Sequence, residues 1–556
     1  MDERPSHHVY GTHEVINQPP PLENLNLFLT DRALRDAVVR EGGAFAQDRL
    51  VALGAVVGAA ETMRLAEQAN RFPPELRAFD RFGNRIDEVD FHPAYHTLMA
   101  LAVEHRVPSY AWVEKRPGAH VARAALAFLW GQAEAGVSCP MAMTFAGTPV
   151  LRHLPDLARE WEPRFTSGRY DSRFIPAKDK TGATFGMAMT EKQGGSDVRA
   201  NSTRARAVGA RGPGCEYLLT GHKWFCSAPM SDAFLTLAYA EGGLSCFFVP
   251  RFLPDGTKNR IFIQRLKSKL GNRSNASSEI EYDETWGRLV GEEGRGIATI
   301  IEMVQGTRLE CALGSAALMR QALVQALHHA SHRSAFQRRL VDHALMRNVL
   351  ADLTLESEAA TALAFRVARA FGEGQDDEHA RRFARIATAI AKYWICKRAP
   401  ALVGEALECH GGNGYVEESV MPRLYREAPV NGIWEGSGNV ICLDVLRTLE
   451  REPESVELLL AELSASRGLD ARYDRFLDRL GVEIENRDER ETRARRLIEA
   501  LALALEAAIL LRNDPANVAN AFCASRLDGD RGLAFGTLPT GFDAIALIER
   551  AMPSEP

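Results

Sequence analysis

Apolar positions change their spacing three times along this chain. From about residue 30 to 180 they recur at helical intervals, in LTDRALRDAVVREGGAF, FHPAYHTLMALAVEH and AHVARAALAFLWGQAEAGV, and a Thr-Asp pair caps the first of these. Near Gly182 the texture shifts to short runs rich in Thr, Phe, Tyr and Val, each bounded by Gly, Pro, Asn or Asp. ATFGMAMTE, CEYLLTGHKWF, AFLTLAYA, LSCFFVP, RIFIQRL and SSEIEY read as strands of an antiparallel sheet or small barrel that ends near residue 288. Helical spacing then returns in three long stretches with short links, which predict a four-helix bundle completed by VICLDVLRTL. The pattern predicts an α+β multidomain protein. Its parts are an N-terminal extension (1–30), a helical domain (31–181), a middle β domain (182–288), a four-helix bundle (289–449) and an additional helical domain (450–556).

Length agrees, since 556 residues exceed one compact core. A net charge of −6 gives no global pull toward nucleic acid. The nine cysteines are scattered without a C-x-x-C pair, which argues for reduced thiols in a cytoplasmic protein and against a zinc site. The start, MDERPSHHVYGTHE, is too polar for a secretory signal. Its His7, His8 and His13 have metal-ligating chemistry, but a polar tail is the simpler reading. LIEALALALEAAILL (Leu497 to Leu511) is too short to span a bilayer and carries Glu499 and Glu506, so it predicts a packed helix and no membrane role.

Two stretches carry candidate chemistry. In NGIWEGSGNV, Glu435 stands between an indole and glycines. A carboxylate with such neighbours is poorly hydrated, which raises its pKa and makes it a stronger base. The alternative is a helix start, with Ser437 as N-cap and Glu435 merely near the dipole. In GMAMTEKQGGSDV, a strand runs into a loop of Gly194, Gly195 and Ser196. That loop is either a simple turn or a set of N–H donors for an anion or the edge of a flat ring. Trp224, on a following strand, is either core or the wall of a cofactor site.

These motifs, with CHGGNGY, KLGNRSNAS, LSCFFVPRFLPDG, PRLYRE and INQPPPLENLNLFLTD, resemble the acyl-CoA dehydrogenase family, and most closely its flavoproteins of the adaptive response to DNA alkylation. The resemblance covers nearly the whole chain and loosens beyond residue 450. It implies FAD held between the β domain and the bundle, with Met187, Met189, Thr190 and Ser196 along the flavin and its pyrophosphate. Lys223, Trp224 and Phe225 form the wall against the ring. Ile433, Trp434, Gly436, Ser437, Gly438 and Asn439 add contacts from a helix start suited to anions. Arg333, Gly411 and Gly412 match elements that cross a subunit interface, so the implied assembly is a homotetramer, a dimer of dimers. Where the family usually has glycine after Phe336, this chain has Gln337.

On the same resemblance Glu435 is the base that removes a proton α to a thioester carbonyl while hydride leaves the β-carbon for the flavin. Some members carry the base in the first long bundle helix, where this chain has Thr307-Arg308, so Glu435 has no visible competitor and Glu310 reads as structural. The implied substrates are short branched acyl-CoA thioesters such as isovaleryl-CoA. Lys192 and Gln193 are bulkier than the family's usual residues and are positioned to narrow the entrance. A second implied role is binding double-stranded DNA through residues 450–556 and protecting it from alkylation. From Arg451 onward, however, 14 Arg face 20 Asp and Glu. Arg472, Arg475, Arg479, Arg493, Arg495 and Arg496 interleave with acids, as on a solvated, ion-paired face.

Overall fold

Asp31 sets the first helix, Arg32–Arg40, because its Oδ1 accepts the Leu34 N–H at 3.0 Å. The computed structural model describes residues 12–513, 516–529 and 531–553; His7 and His8 lie outside the described residues. Helices continue through Ala119–Ala133 and Ala135–Gly147 to Pro155–Phe165. They are interrupted by a hairpin that apolar spacing does not announce, Glu75–Phe79 with Arg85–Asp90. Glu75–Phe79 is short and Arg85–Asp90 is largely polar, so the hairpin leaves only a weak apolar trace. Asp87 explains the hairpin's place: it accepts the Ile263 N–H at 2.9 Å and pairs with Lys258 at 2.8 Å, tying the helical region to the sheet.

The sheet has seven strands, from Phe185–Ala188 to Ser277–Val290. It is antiparallel except where Phe185–Ala188 and Arg204–Ala207 run parallel to Ala233–Ala240. Helix Gly296–His332 follows and packs against Ala344–Glu373, Glu378–Glu408 and the N-terminal helices Ala119–Ala133 and Ala135–Gly147. Helix Gly438–Arg451 completes the bundle against Glu378–Glu408. An apolar cluster of Phe145, Phe185, Phe248 and Met303 joins helical region, sheet and bundle; Met187, Met189 and Trp434 pack onto it.

Beyond the bundle the chain is again helical, with Pro453–Ser464, Ala471–Glu485 and Ala494–Asn513. The last of these contains Leu497 to Leu511 as a packed helix, its buried Glu506 accepting the Trp394 indole N–H at 3.2 Å. Among the described residues no helix is long and apolar enough to cross a membrane, and no cluster of His, Cys, Asp and Glu could hold a metal ion. The final helix, Ala544–Ala551, returns to the start of the chain. Arg550 bonds Asp36 at 2.7 Å and Glu358 at 2.6 Å, while Arg320 donates to the carbonyls of Ala551 and Thr30, both at 2.9 Å.

Candidate active site

Glu435 lies in the turn before helix Gly438–Arg451 with φ of +59°, a left-handed conformation that costs a non-glycine residue about 1–2 kcal/mol. Three side chains hold it there. Thr307 donates its hydroxyl to Oε2 at 2.7 Å, Arg308 donates Nε to the Glu435 carbonyl at 3.1 Å, and Lys392 donates to the Gly436 carbonyl. The Glu435 N–H and Oε1 have no protein partner among the described residues. Burial pushes the carboxyl pKa above its ordinary value, against the opposing pull of Thr307, Arg308 and Lys392. A desolvated carboxylate with one free oxygen beside a free N–H can accept a proton next to a carbonyl that the N–H polarises.

Thr307 and Arg308 are thus partners of Glu435 rather than an empty alternative site. Arg308 is itself held by Asp444 at 2.6 Å, which also binds Arg385 at 2.7 Å. Lys392, Asp444 and Arg385 were not singled out by sequence reasoning, and their separation along the chain left no local signal. Glu310 faces away from this turn, paired with the buried Arg123. Ser437 occupies the N-cap position of Gly438–Arg451 but makes no side-chain capping bond. The Asn439 side chain is turned toward the C-terminal block, accepting from Arg495 at 2.8 Å. Trp434 donates to Asn431 at 2.9 Å, and Ile433 is exposed.

The loop after Thr190 approaches the same region through the shared apolar cluster. Thr190 accepts the Trp224 N–H at 2.7 Å, and a side chain at Gly195 would collide with the Thr190 hydroxyl. Gln193 is folded back onto Glu191 and the Ala200 carbonyl, both at 2.8 Å, so its bulk stays within the loop. Lys223 does not share a wall with Trp224. Neighbours on a strand face opposite ways, and Lys223 is fully buried against Glu191 at 2.8 Å and the Leu237 carbonyl at 2.8 Å. Burial pushes the Glu191 carboxyl up, but Lys223, Thr203 and Ser202 prevail and hold it well below the usual range. Trp224 is half-buried with the Lys267 ammonium 3.3 Å from its ring centre, and Phe225 is exposed.

The donor set matches what a flavin dinucleotide needs. Among the described residues the Thr190 and Ser196 hydroxyls and the N–H groups of Gly195 and Ser196 have no protein partner, and the N-terminus of Gly438–Arg451 is uncapped. Free N–H groups and a helix start suit a diphosphate; the Trp224 face suits a ring.

Arg333, Gly411 and Gly412 are not brought to Glu435. Arg333 lies 25 residues beyond Arg308, just past the end of one continuous helix, roughly 38 Å along its axis at about 1.5 Å per residue. Gly411 lies beyond the far end of Glu378–Glu408, and the tilted contact of His329 with His410, with ring centres 4.7 Å apart, sets the two loops side by side. Phe336 there is 92% exposed and Tyr415 81%. Gln337 adopts φ of +63°, so it makes the turn a glycine would make. In the C-terminal block the candidate DNA-binding arginines are engaged: Arg472 with Asp470 at 2.5 Å, Arg475 with Asp528 at 3.1 Å, Arg493 and Arg496 with Glu483, Arg479 with the Leu527 carbonyl and Arg495 with Asn439.

Comparison with known proteins agrees with this geometry. Residues 17–172 match the adaptive response protein AidB N-terminal domain, 186–285 the acyl-CoA dehydrogenase middle domain, and 294–450 the acyl-CoA dehydrogenase C-terminal domain. The chain is 48% identical to AidB of Escherichia coli (strain K12) over 94% of its own length and 96% of that protein's. It is 30% identical to acyl-CoA dehydrogenase family member 11 of Caenorhabditis elegans, over 89% of this chain and 78% of that one. The solved structure of Caenorhabditis elegans ACDH-11 in complex with C11-CoA superposes with a TM-score of 0.83 at 26% identity, covering 94% of each chain. With its helical, β and bundle regions each matched in order, and a relative matched almost end to end, the chain belongs to the acyl-CoA dehydrogenase family, in its AidB-like branch.

Proposed function

We propose that this protein is an FAD-dependent acyl-CoA dehydrogenase in which Glu435 is the base, acting on short branched thioesters such as isovaleryl-CoA. The observation that carries the reading is the environment of Glu435: a carboxylate with raised pKa, fixed through Oε2 by Thr307, with Oε1 and its own N–H free. Oε1 takes the proton α to the thioester carbonyl, and the Glu435 N–H donates to that carbonyl as charge develops on it. Arg308 and Lys392 keep the turn in its left-handed conformation so that both groups face the substrate. FAD, when bound, supplies the hydride acceptor; Thr190, Gly195, Ser196 and Trp224 are the residues suited to hold it. A homotetramer is part of the proposal, because Arg333, Gly411 and Gly412 lie too far from Glu435 to serve their own site and sit among exposed aromatic side chains. Protection of DNA is the weaker reading, since the arginines it would use are already bonded within the chain.

Anaerobic titration of the FAD-loaded protein with isovaleryl-CoA tests this, beside Glu435→Gln. The flavin absorbance bleaches in the parent protein and stays in the variant. If neither bleaches although FAD is bound, this substrate assignment fails.

A further inference from the structure

Among the described residues six arginines are buried, and five of them end on a carboxylate. Arg123 pairs with Glu310, Arg308 with Asp444, Arg320 with Asp31, Arg526 with Asp352 and Arg550 with Asp36. The sixth is Arg251, 3% exposed and just past strand Gly243–Pro250, in the LSCFFVPRFLPDG stretch. It forms no ion pair among the described residues. Its Nε donates to the Ser231 carbonyl at 3.1 Å, but Nη1 and Nη2 are shut off from solvent and meet no protein acceptor. The hydroxyl of the same Ser231 is also buried and unpartnered. The rings of Phe174 and Phe234 lie 5.4 and 5.7 Å from the guanidinium carbon. Rings can satisfy the faces of a guanidinium, whereas its N–H donors point outward in its plane.

The neighbouring carboxylates are already committed. Asp232, whose carbonyl accepts the Arg251 N–H at 2.9 Å, gives one carboxylate oxygen to Lys180 at 2.7 Å and the other to the Thr184 N–H at 2.8 Å. Asp87 is held by Lys258 at 2.8 Å and Arg85 at 2.9 Å. Four cations, Arg251, Lys180, Lys258 and Arg85, thus share two carboxylates. Cys226 does not make up the difference, because burial pushes its thiol up to about 12 and keeps it neutral. Burial lowers Arg251 only to about 10, against Asp232, Cys226 and Asp87, so it stays a cation at neutral pH. A buried cation without a counter-ion is costly, and the two free Nη groups beside a free hydroxyl are all donors. Three donors suit a one-atom anion; a phosphate or sulfate has more acceptor oxygens than they satisfy.

We propose that Arg251 and Ser231 form a binding site for one small monovalent anion, a halide such as chloride, inside the β domain. The site stands at a junction. Through Asp232 it connects to Thr184, where strand Phe185–Ala188 begins and leads on to the Thr190 loop. A bound halide completes the charge balance there and braces the entry to that strand. The assignment does not depend on the dehydrogenase reading.

Two measurements on the FAD-loaded protein test it. Crystals soaked in bromide show an anomalous peak within hydrogen-bonding reach of Arg251 Nη1, Arg251 Nη2 and Ser231 Oγ. In solution, exchanging gluconate for chloride at constant ionic strength raises Tm of the parent by about 2–4 °C, as a ligand bound only by the folded state does. Arg251→Met loses this response; an apolar side chain in place of a buried unpaired charge is tolerated. Ser231→Ala keeps the response but needs roughly tenfold more chloride, the scale of one hydrogen bond to an ion. Should Arg251→Met fail to fold, the bromide peak and the Ser231→Ala titration decide. Density filled by water with no bromide peak would overturn the site. So would a bromide peak without a chloride response in solution, which is binding at crystal concentration only. An equal chloride shift in the parent and in Ser231→Ala would be a general salt effect and would overturn it too.

Discussion

Replacing Thr307 with valine isolates how the chain sets the strength of its base. The Thr307 hydroxyl has one proton and three acceptors in reach: Glu435 Oε2 at 2.7 Å, the Val304 carbonyl at 3.1 Å and the Met303 carbonyl at 3.3 Å. The bond to the carboxylate is the shortest and the only one assisted by charge, so the proton belongs there. A hydrogen bond to an ionised group contributes about 1.5–3 kcal/mol, and one pKa unit corresponds to about 1.4 kcal/mol. Valine keeps the shape and removes the donor, so burial acts on Glu435 with less opposition. The pKa, already raised, climbs by about a further 1–2 units. Because the base works only when ionised, the acid limb of flavin reduction moves to higher pH by that amount, while the plateau above it keeps most of its height. Stopped-flow absorbance across the pH range, with a saturating acyl-CoA, reads the limb directly, and Thr307→Ser restores it. A limb that stays in place in Thr307→Val, or moves to lower pH, would refute the reasoning.

Three further outcomes follow from the same structure. Glu435→Gln raises Tm at neutral and alkaline pH: the folded carboxyl has a pKa above its unfolded value, so ionisation favours the unfolded chain once pH exceeds the ordinary carboxylate range. Below that range both states keep the proton, and the difference between variant and parent vanishes. Lys223→Met leaves the Glu191 carboxylate buried without its cation and costs about 3–5 kcal/mol in chemical unfolding; adding Glu191→Gln recovers most of it, and failure to do so would show that the loss is one of packing. Gln337→Gly relieves a left-handed glutamine and stabilises the protein by about 0.5–1 kcal/mol. A drop in Tm would show that the turn holds no such strain.

How far the sequence was legible depended on whether burial left a periodic trace. Long helices such as Gly296–His332 and strands such as Gly243–Pro250 declared themselves through apolar spacing. Arg204–Ala207 and the hairpin at Glu75–Asp90 did not, because each is short and puts only one or two apolar side chains, such as Val89 and Ala205, into the core among charged neighbours. At the site, Glu435 stood out for its odd neighbours, but what holds it did not. Lys392 bonds the adjoining Gly436 carbonyl and Asp444 holds Arg308, each from a separate helix, and helical spacing alone does not report which faces of two helices meet. The misplaced Lys223 is different. Its position beside Trp224 on one strand already put the two on opposite faces, and the family pattern, which groups them by proximity in sequence, concealed that alternation.

The bond between Arg550 and Asp36 spans 514 residues. Its consequence concerns the order of events during synthesis. Helix Arg32–Arg40 is made well before its partners, since Asp36, Asp31 and the Thr30 carbonyl wait for arginines supplied by Arg320 and, later still, Arg550. Helices can form locally as they emerge, but this seam closes only once helix Ala544–Ala551 has been made. A nascent chain that stops before residue 544 therefore keeps an open edge along Arg32–Arg40, with Asp36 lacking its bond to Arg550.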